Sequence, residues 1–85
     1  MARIKVYSTA SCPICDKVKL LLAKWRIPYE EARVDEDREA LKEMLEISSH
    51  ARTVPQIVID GKWIGGFSEL TELHMDGELE MLMKG

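Results

Sequence analysis

The sequence lacks several features that would place it in a specialised class of protein. It has no internal repeat, no low-complexity tract and no linker-like stretch, so we expect a single domain over residues 1–85. No apolar run approaches the roughly 20 residues that span a bilayer. The first residues alternate charged and apolar types and lack the continuous apolar core of a signal peptide. We therefore expect the protein to reside in the cytoplasm.

Charge of one sign is not in large excess either. Fifteen acidic and twelve basic residues leave a net charge of −3, which argues against nucleic acid or an anionic membrane as the main partner. The hydrophobic fraction of 46% and the charged fraction of 32% are typical of globular proteins and argue against disorder. A chain of this length buries roughly 60–70% of its surface on folding, which is enough for one core.

What the sequence does contain is an alternation of strand-like and helix-like segments. The spacing of apolar residues predicts strands at 4–7, 29–34, 56–59 and 62–64. It predicts one helix from 13 to about 26, a second that starts after residue 35 or 37 and runs to about 47, and a third from 68 to about 77. Asp35 or Asp37 is expected to cap the second helix, and Glu78 begins a final amphipathic turn or two. The order β-α-β-α-β-β-α predicts an α/β fold. Its first two strands pair in parallel, and the Asp60-Gly61 hairpin adds an antiparallel pair.

Several single residues carry further structural predictions. Ser68 is expected to cap the last helix. Ile14 and Trp25 belong to the apolar stripe of the first helix. Trp63 is expected in the core of the hairpin, with an exposed platform for partners as the alternative. The methionines at 44, 75, 81 and 83 are expected to lie in the core or in the C-terminal tail.

The two cysteines are separated by only two residues. A disulfide between Cys12 and Cys15 closes nearly the smallest possible loop and so contributes little as a structural staple. In a reducing compartment such a pair is redox-active or binds a metal. Zinc ligands usually come in closely spaced pairs, whereas His50 and His74 are far from the cysteines and from each other, so we expect no metal. A pair of inert buried cysteines is the remaining alternative.

Pro13, between the cysteines, gives the pair a place in the fold. Proline is favoured at the first helical position, which makes Cys12 the N-cap and Cys15 the third helical residue. Three helical steps span about 4.5 Å, and Cα separations of about 4.4–6.8 Å permit a disulfide. The pair is therefore expected to open and close with little movement of the backbone.

The same position makes the two sulfurs unequal. Unpaired N–H groups and the helix dipole stabilise an anion at Cys12, and cysteines in such motifs have pKa values of roughly 3.5–7.5 instead of about 8.5. We expect Cys12 to be the exposed nucleophile and Cys15, facing Val18, to be the less exposed resolving thiol. The Cys12 thiolate then attacks a disulfide, and the resulting mixed disulfide is released by Cys15 or by an incoming thiol.

Three motifs in order give the chain a family resemblance that runs from the first strand to about Lys84. They are Cys12-Pro13-Ile14-Cys15, Thr53-Val54-Pro55-Gln56 and Gly65-Gly66-Phe67-Ser68-Glu69-Leu70. In these motifs the chain resembles the glutaredoxins. The resemblance implies a thioredoxin fold with a four-stranded mixed sheet flanked by three or four helices. It also implies glutathione as co-substrate, no tightly bound cofactor, and disulfide-containing proteins as partners; a monomer is the simplest expectation.

The resemblance further implies a binding groove beside the catalytic residues Cys12, Pro13 and Cys15. In this family the peptide bond before Pro55 is cis, and the turn formed with Thr53 exposes the backbone of Val54 to an extended peptide such as glutathione. The plainer alternative for Pro55 is the start of a strand. Ile14 is expected to border the groove. Arg52 either pairs with a carboxylate of the ligand or is simply solvated.

A second group of residues is expected to complete the groove. Gly65 and Gly66 allow the backbone to approach a ligand closely or to adopt positive φ. Ser68 and Glu69 open the last helix, whose N–H groups are expected to receive the γ-glutamyl carboxylate of glutathione.

The sequence departs from the family pattern at two positions. Dithiol members usually have tyrosine where Ile14 stands and lysine where Thr9 stands. Loss of the lysine is expected to weaken carboxylate binding and to reduce thiolate stabilisation, because an opposite charge favours the ionised form. The cations proposed as replacements are Arg38, Lys42 and Arg52.

Three functions are compatible with these residues. The first is a glutathione-dependent oxidoreductase that reduces protein disulfides or glutathione mixed disulfides, with ribonucleotide reductase among the candidate protein partners. The second is a similar redoxin reduced by a thioredoxin reductase, which Thr9 favours. The third is an iron–sulfur protein in which Cys12 and glutathione hold a cluster between two subunits, which Pro13 and Cys15 disfavour.

Overall fold

The computed structural model describes residues 3–84, which form four strands and four helices. The elements are β1 (Ile4–Ser8), α1 (Pro13–Lys24), β2 (Tyr29–Arg33), α2 (Arg38–Ile47), β3 (Gln56–Ile59), β4 (Lys62–Gly65), α3 (Phe67–Met75) and α4 (Glu78–Lys84). The predicted order is confirmed, and the final amphipathic segment is a short helix of its own. None of the helices within residues 3–84 is long and apolar enough to cross a membrane.

The four strands form one mixed sheet in the order β2-β1-β3-β4. β1 pairs in parallel with β2 and antiparallel with β3, and β3 pairs antiparallel with β4 through the predicted hairpin. The expected four-stranded mixed sheet and thioredoxin fold are confirmed.

The sheet has a hydrophobic core on each face because neighbouring residues of β1 point to opposite sides. On one face Ile4 and Val6 pack with residues of α1, α3 and α4. On the other face Tyr7 packs with Met44 of α2 and with Val58. α1 and α3 therefore lie together on one side of the sheet, and α2 lies on the other.

The two candidate caps before α2 have different roles. Asp37 is the N-cap and accepts hydrogen bonds from the backbone N–H groups of Glu39 and Ala40. Asp35 pairs with Arg33 and accepts a hydrogen bond of 3.0 Å from the backbone N–H of Ala10. Asp35 thus ties the end of β2 to the loop that leads into α1.

Three predictions for single residues are wrong. Ser68 does not cap the last helix: the N-cap is Gly66, and α3 begins at Phe67. Ile14 is 49% exposed because the buried stripe of α1 runs through Cys15, Val18 and Leu22, and Ile14 lies about 100° around the helix from Cys15.

Trp63 is 39% exposed and is not a core residue. It pairs with Val58 and so shares the face of the sheet that α2 covers, but α2 packs against β1 and β2 at the far side of the sheet. The Trp63 side of the edge strand β4 is therefore not covered by α2. The methionines also divide: Met44 is buried, Met83 is partly buried, and Met75 and Met81 are exposed.

Candidate functional site

Cys12 and Cys15 form a disulfide at the N-terminus of α1, with Cα atoms 5.2 Å apart. Cys12 is the N-cap with an extended backbone (φ −125°, ψ 96°), and Pro13 is the first helical residue. The backbone N–H of Cys15 points at the Cys12 sulfur over 3.1 Å. The predicted positions of both cysteines on the helix are confirmed, and the same backbone accommodates the closed pair.

The two sulfurs differ in accessibility, as predicted, but Cys12 is less exposed than expected. Cys12 is 9% exposed and Cys15 is fully buried. In this disulfide form the Cys12 sulfur lies 3.8 Å from the carbonyl oxygen of Val54, so the loop before β3 covers part of it. This contact also joins the cysteine pair to the neighbouring groove.

A groove of about 650 Å³ lies beside the cysteines. It brings together three separate parts of the chain: the start of α1, the loop before β3, and the junction of β4 with α3. Its lining residues are Ile14, Ala51, Thr53, Val54, Pro55, Gln56, Trp63, Ile64, Gly65, Gly66, Phe67, Ser68 and Glu69. Of the predicted ligand-binding residues, only Arg52 is missing from this lining; it is exposed between Ala51 and Thr53. Pro13 is exposed at the start of α1.

The loop before β3 contains the cis peptide bond, between Val54 and Pro55, that the family resemblance implies. Pro55 is buried and Val54 is partly buried. The turn places the Val54 carbonyl beside Cys12, where a backbone edge for an extended peptide was expected.

The two glycines meet different requirements. Gly65 has φ +127°, and a Cβ atom on it would lie only 2.7 Å from Oε1 of Glu69. Gly66 has a negative φ of −106°, and a Cβ atom there would lie 3.2 Å from the carbonyl oxygen of Pro55. Gly65 therefore provides both the positive φ and the close approach, whereas Gly66 provides only room.

The N-terminus of α3 opens into the groove. Glu69 accepts a hydrogen bond of 2.7 Å from the backbone N–H of Gly66, the N-cap residue. Gly66 has no side chain with which to cap the N–H groups that follow it, and Phe67 and Ser68 both line the groove. Backbone donors and the positive end of the helix dipole are thus placed where the γ-glutamyl carboxylate was expected.

The charge of the groove is unusual for a site expected to hold carboxylates. Among residues 3–84, Glu69 is the one charged residue in the lining, and it is an anion. Arg38, Lys42 and Arg52, the suggested replacements for the lysine missing at Thr9, are exposed and do not line the groove. Any attraction for a ligand carboxylate at close range therefore comes from backbone N–H groups and from neutral donors such as the Thr53 and Ser68 hydroxyls, against the negative charge of Glu69.

Sequence reasoning missed the parts played by Trp63 and Gln56. The indole N–H of Trp63 donates a hydrogen bond of 2.8 Å to Oε1 of Gln56, and the Gln56 amide group donates to Thr53. The available signal was a polar residue at the start of the otherwise apolar segment 56–59. Ala51, Ile64 and Phe67 also line the groove without having been predicted.

Comparisons with known proteins by sequence and by structure identify relatives in the same family. A family model described as glutaredoxin matches residues 4–64. The chain is 42% identical to glutaredoxin 1 of Rickettsia typhi over 82 residues, covering 95% of this chain and 79% of that protein. It is 36% identical to glutaredoxin 3 of Escherichia coli over 84 residues, covering 99% of this chain and all of that protein.

Solved structures agree with these sequence matches. The crystal structure of a buckwheat glutaredoxin–glutathione complex superposes with a TM-score of 0.84 at 29% identity, covering 96% of this chain and 76% of that one. The solution structure of a dithiolic glutaredoxin from Trypanosoma brucei brucei superposes with a TM-score of 0.81 at 32% identity, covering 95% of this chain and 86% of that one.

Proposed function

Because the chain belongs to the glutaredoxin family as a dithiol thiol–disulfide oxidoreductase, we propose that glutathione is its reductant and that glutathione mixed disulfides are its substrates. Disulfide-containing proteins of the cytoplasm are the proposed second class of substrate, with ribonucleotide reductase among the candidates. The protein is proposed to act as a monomer without a tightly bound cofactor. The single observation that carries the proposal is the 3.8 Å approach of the Cys12 sulfur to the Val54 carbonyl at the edge of the groove.

With a glutathione mixed disulfide, the Cys12 thiolate attacks the glutathione sulfur. The bond between the two original sulfurs breaks, the substrate leaves as a thiolate that takes up a proton, and a disulfide forms between Cys12 and glutathione. The thiolate of a second glutathione then attacks the bound glutathione sulfur. Oxidised glutathione leaves, and the Cys12 thiolate is regenerated.

With a protein disulfide, Cys15 completes the reaction. Attack by Cys12 forms a mixed disulfide with the protein, and the Cys15 thiolate then attacks the Cys12 sulfur and releases the protein as a dithiol. The product is the closed Cys12–Cys15 pair, the state in this structure. The Cα separation of 5.2 Å is within the usual range for a disulfide, so closure needs little movement of the backbone.

The Val54 backbone supports the choice of a peptide thiol as ligand. An extended peptide gains main-chain hydrogen bonds by pairing with an exposed backbone edge. A ligand cysteine paired with Val54 has its sulfur near Cys12, and a carboxylate farther along the ligand reaches the N-terminus of α3. Glutathione has this combination of a peptide backbone, a central cysteine and terminal carboxylates.

A coupled assay tests the proposal. The substrate is the mixed disulfide of glutathione and 2-mercaptoethanol, with glutathione, glutathione reductase and NADPH, and NADPH consumption is followed. We expect turnover that depends on both the protein and glutathione. Absence of turnover, together with reduction of the closed pair by a thioredoxin reductase, would overturn the proposal.

Reduction by a thioredoxin reductase would make the protein a redoxin whose reductant is a flavoenzyme. One observation favours this alternative. No lysine or arginine lines the groove within residues 3–84, so a ligand with two carboxylates finds no cationic side chain there. The open N-terminus of α3 favours glutathione, and the assay decides between the two reductants.

The iron–sulfur alternative fits the described residues less well. That alternative uses one Cys12 thiolate from each of two chains, whereas in this structure Cys12 is joined to Cys15 in a disulfide. Anaerobic reconstitution with iron and sulfide tests this alternative: a visible absorption band in a species containing two chains would support it.

A further inference from the structure

Gln56 is a buried polar side chain in the groove lining, and its whole amide group is engaged in hydrogen bonds. It is 5% exposed. Its Oε1 accepts a hydrogen bond of 2.8 Å from the indole N–H of Trp63. Its Nε2 donates to the carbonyl oxygen of Thr53 at 2.9 Å and to the Thr53 hydroxyl at 3.1 Å. The amide thus connects the edge strand β4 to the residue just before Val54.

The chemistry of the two partners determines the orientation of this amide. An indole N–H can only donate, and a backbone carbonyl can only accept. The oxygen of Gln56 must therefore face Trp63, and its NH₂ group must face Thr53. Trp63 is itself held by its pairing with Val58 across the hairpin.

The segment that this amide holds is the one that meets the substrate. Thr53 directly precedes Val54, whose carbonyl oxygen lies 3.8 Å from the Cys12 sulfur. Pro55 follows and is buried, and its carbonyl oxygen would lie 3.2 Å from a Cβ atom on Gly66. Residues 53 and 54 are outside the strands, so they lack the regular ladder of backbone hydrogen bonds that orders β3.

We propose that Gln56 and Trp63 are positioning residues that hold the Thr53–Val54 backbone in the geometry to which a peptide thiol binds. Trp63 orients the Gln56 amide, the amide holds Thr53, and Thr53 places Val54. The proposal rests on the proposed function in one respect, because it takes pairing of the substrate with Val54 as the mode of binding. Within residues 3–84 no hydrogen bond joins either side chain to Cys12 or Cys15.

This role predicts a change in KM with little change in kcat. Loss of the hydrogen bonds leaves the 53–54 backbone free to adopt geometries that do not bind substrate, so binding weakens. The hydrogen bonds of Gln56 and Trp63 within residues 3–84 do not reach the N-terminus of α1 or the cysteine pair, so the chemical step is retained. Loss of a neutral hydrogen bond typically changes an equilibrium by about 2- to 10-fold.

We call the chain of contacts from Trp63 through Gln56 to Thr53 the relay. Two substitutions separate its steps. Trp63→Phe keeps an aromatic ring and removes the donor, and we expect KM for the glutathione mixed disulfide to rise about threefold. Gln56→Glu keeps an acceptor for Trp63 but, when ionised, places a carboxylate against the Thr53 carbonyl. For this variant we expect KM to rise about tenfold at pH 8. In both variants kcat should stay within about twofold of the wild type.

A pH profile separates positioning from general damage to the fold. Protonation of the introduced carboxyl restores a donor to Thr53, and burial favours the neutral form. The ratio of KM in Gln56→Glu to KM in the wild type should therefore fall at least threefold between pH 8 and pH 5.5. A ratio that is constant with pH would contradict donation to Thr53.

Lys62→Ala is the matched control, since Lys62 is exposed on the same strand and outside the groove. Its KM and kcat should equal those of the wild type, and thermal unfolding by circular dichroism checks that every variant is folded. Unchanged KM in both relay variants, or a loss of kcat in step with the rise in KM, overturns the inference.

Failure of the proposed function is a separate outcome. If the wild type does not turn over the glutathione mixed disulfide, the same variants are compared in the reduction of insulin disulfides with dithiothreitol as reductant. A rise in KM for insulin in that assay supports the relay, and unchanged KM overturns it.

Discussion

The backbone N–H of Cys15 points at the sulfur of Cys12 over 3.1 Å, and the sulfur of Cys15 is itself fully buried. This arrangement gives the two cysteines different reactions. Cys12→Ser should abolish all activity. Cys15→Ser should retain reduction of glutathione mixed disulfides, which needs only Cys12, and should lose most reduction of protein disulfides. Paired assays with the 2-mercaptoethanol mixed disulfide and with insulin measure the split. Complete loss of both activities in Cys15→Ser would contradict the assignment of Cys12 as the nucleophile and Cys15 as the resolving thiol.

The position of the same N–H group leads us to expect a low pKa for the Cys12 thiol in the reduced protein. Helix N-terminal donors favour the ionised sulfur, so Cys12 should be alkylated by iodoacetamide with a half-maximal rate below about pH 7.5, compared with about pH 8.5 for a free thiol. Measuring the rate from pH 4 to 10 in Cys15→Ser isolates Cys12. A midpoint above about pH 8 would contradict the helix-terminus argument.

Gly65 is the glycine whose replacement should be most damaging. A Cβ atom there meets Glu69 at 2.7 Å, and the residue has φ +127°. Gly65→Ala should destabilise the fold by about 1–3 kcal/mol and raise KM, because backbone strain and displacement of Glu69 both disturb the groove. Gly61→Ala is the control: φ is +79° and there is nothing within 4 Å of the added Cβ. Urea unfolding should show a smaller loss in the control, with KM unchanged.

Glu69 offers a test of charge in the groove. Glu69→Gln keeps an acceptor for the N–H of Gly66 and removes the one anion that the described part of the chain contributes to the lining. We expect KM for the glutathione mixed disulfide to fall about two- to threefold at low ionic strength, since repulsion of the ligand carboxylates is relieved. The difference should shrink at 1 M salt. Glu72→Gln, on the same helix and outside the groove, should leave KM unchanged; a rise in KM for Glu69→Gln would show that its charge assists binding.

Asp35 predicts part of the acid sensitivity of the fold. Its bonds from Arg33, and then from the backbone N–H of Ala10, lower the pKa of the carboxyl from 3.8 to about 2. Because the pKa is lower in the folded state, the stabilisation is present above about pH 4 and is lost as pH falls toward 2. Asp35→Asn should therefore lower the thermal midpoint at pH 7 and match the wild type near pH 2. Asp76→Asn, at the C-cap of α3, is the control for loss of one carboxylate; a gap that persists at pH 2 would contradict the mechanism.

Agreement between sequence and structure is closest where neighbouring residues decide the outcome. Pro13 placed Cys12 at the N-cap because proline suits the first helical turn, and Asp60-Gly61 predicted the hairpin because positive φ is tolerated there. Both residues have positive φ in the structure. The prediction that Ser68 caps the last helix is wrong, because the helix begins one residue before Ser68, at Phe67, with Gly66 as its N-cap.

The order of the elements and the inequality of Cys12 and Cys15 can thus be predicted from the sequence, since both depend on interactions within a few residues. The construction of the groove cannot, because it depends on contacts between distant segments. The place of Trp63 on an edge strand beyond the reach of α2 left its indole partly exposed and free to orient Gln56. Val54 and Cys12 are 42 residues apart in the chain. Their contact depends on how β3 pairs with β1. Such contacts follow from the packing of the whole sheet, and no local preference specifies them.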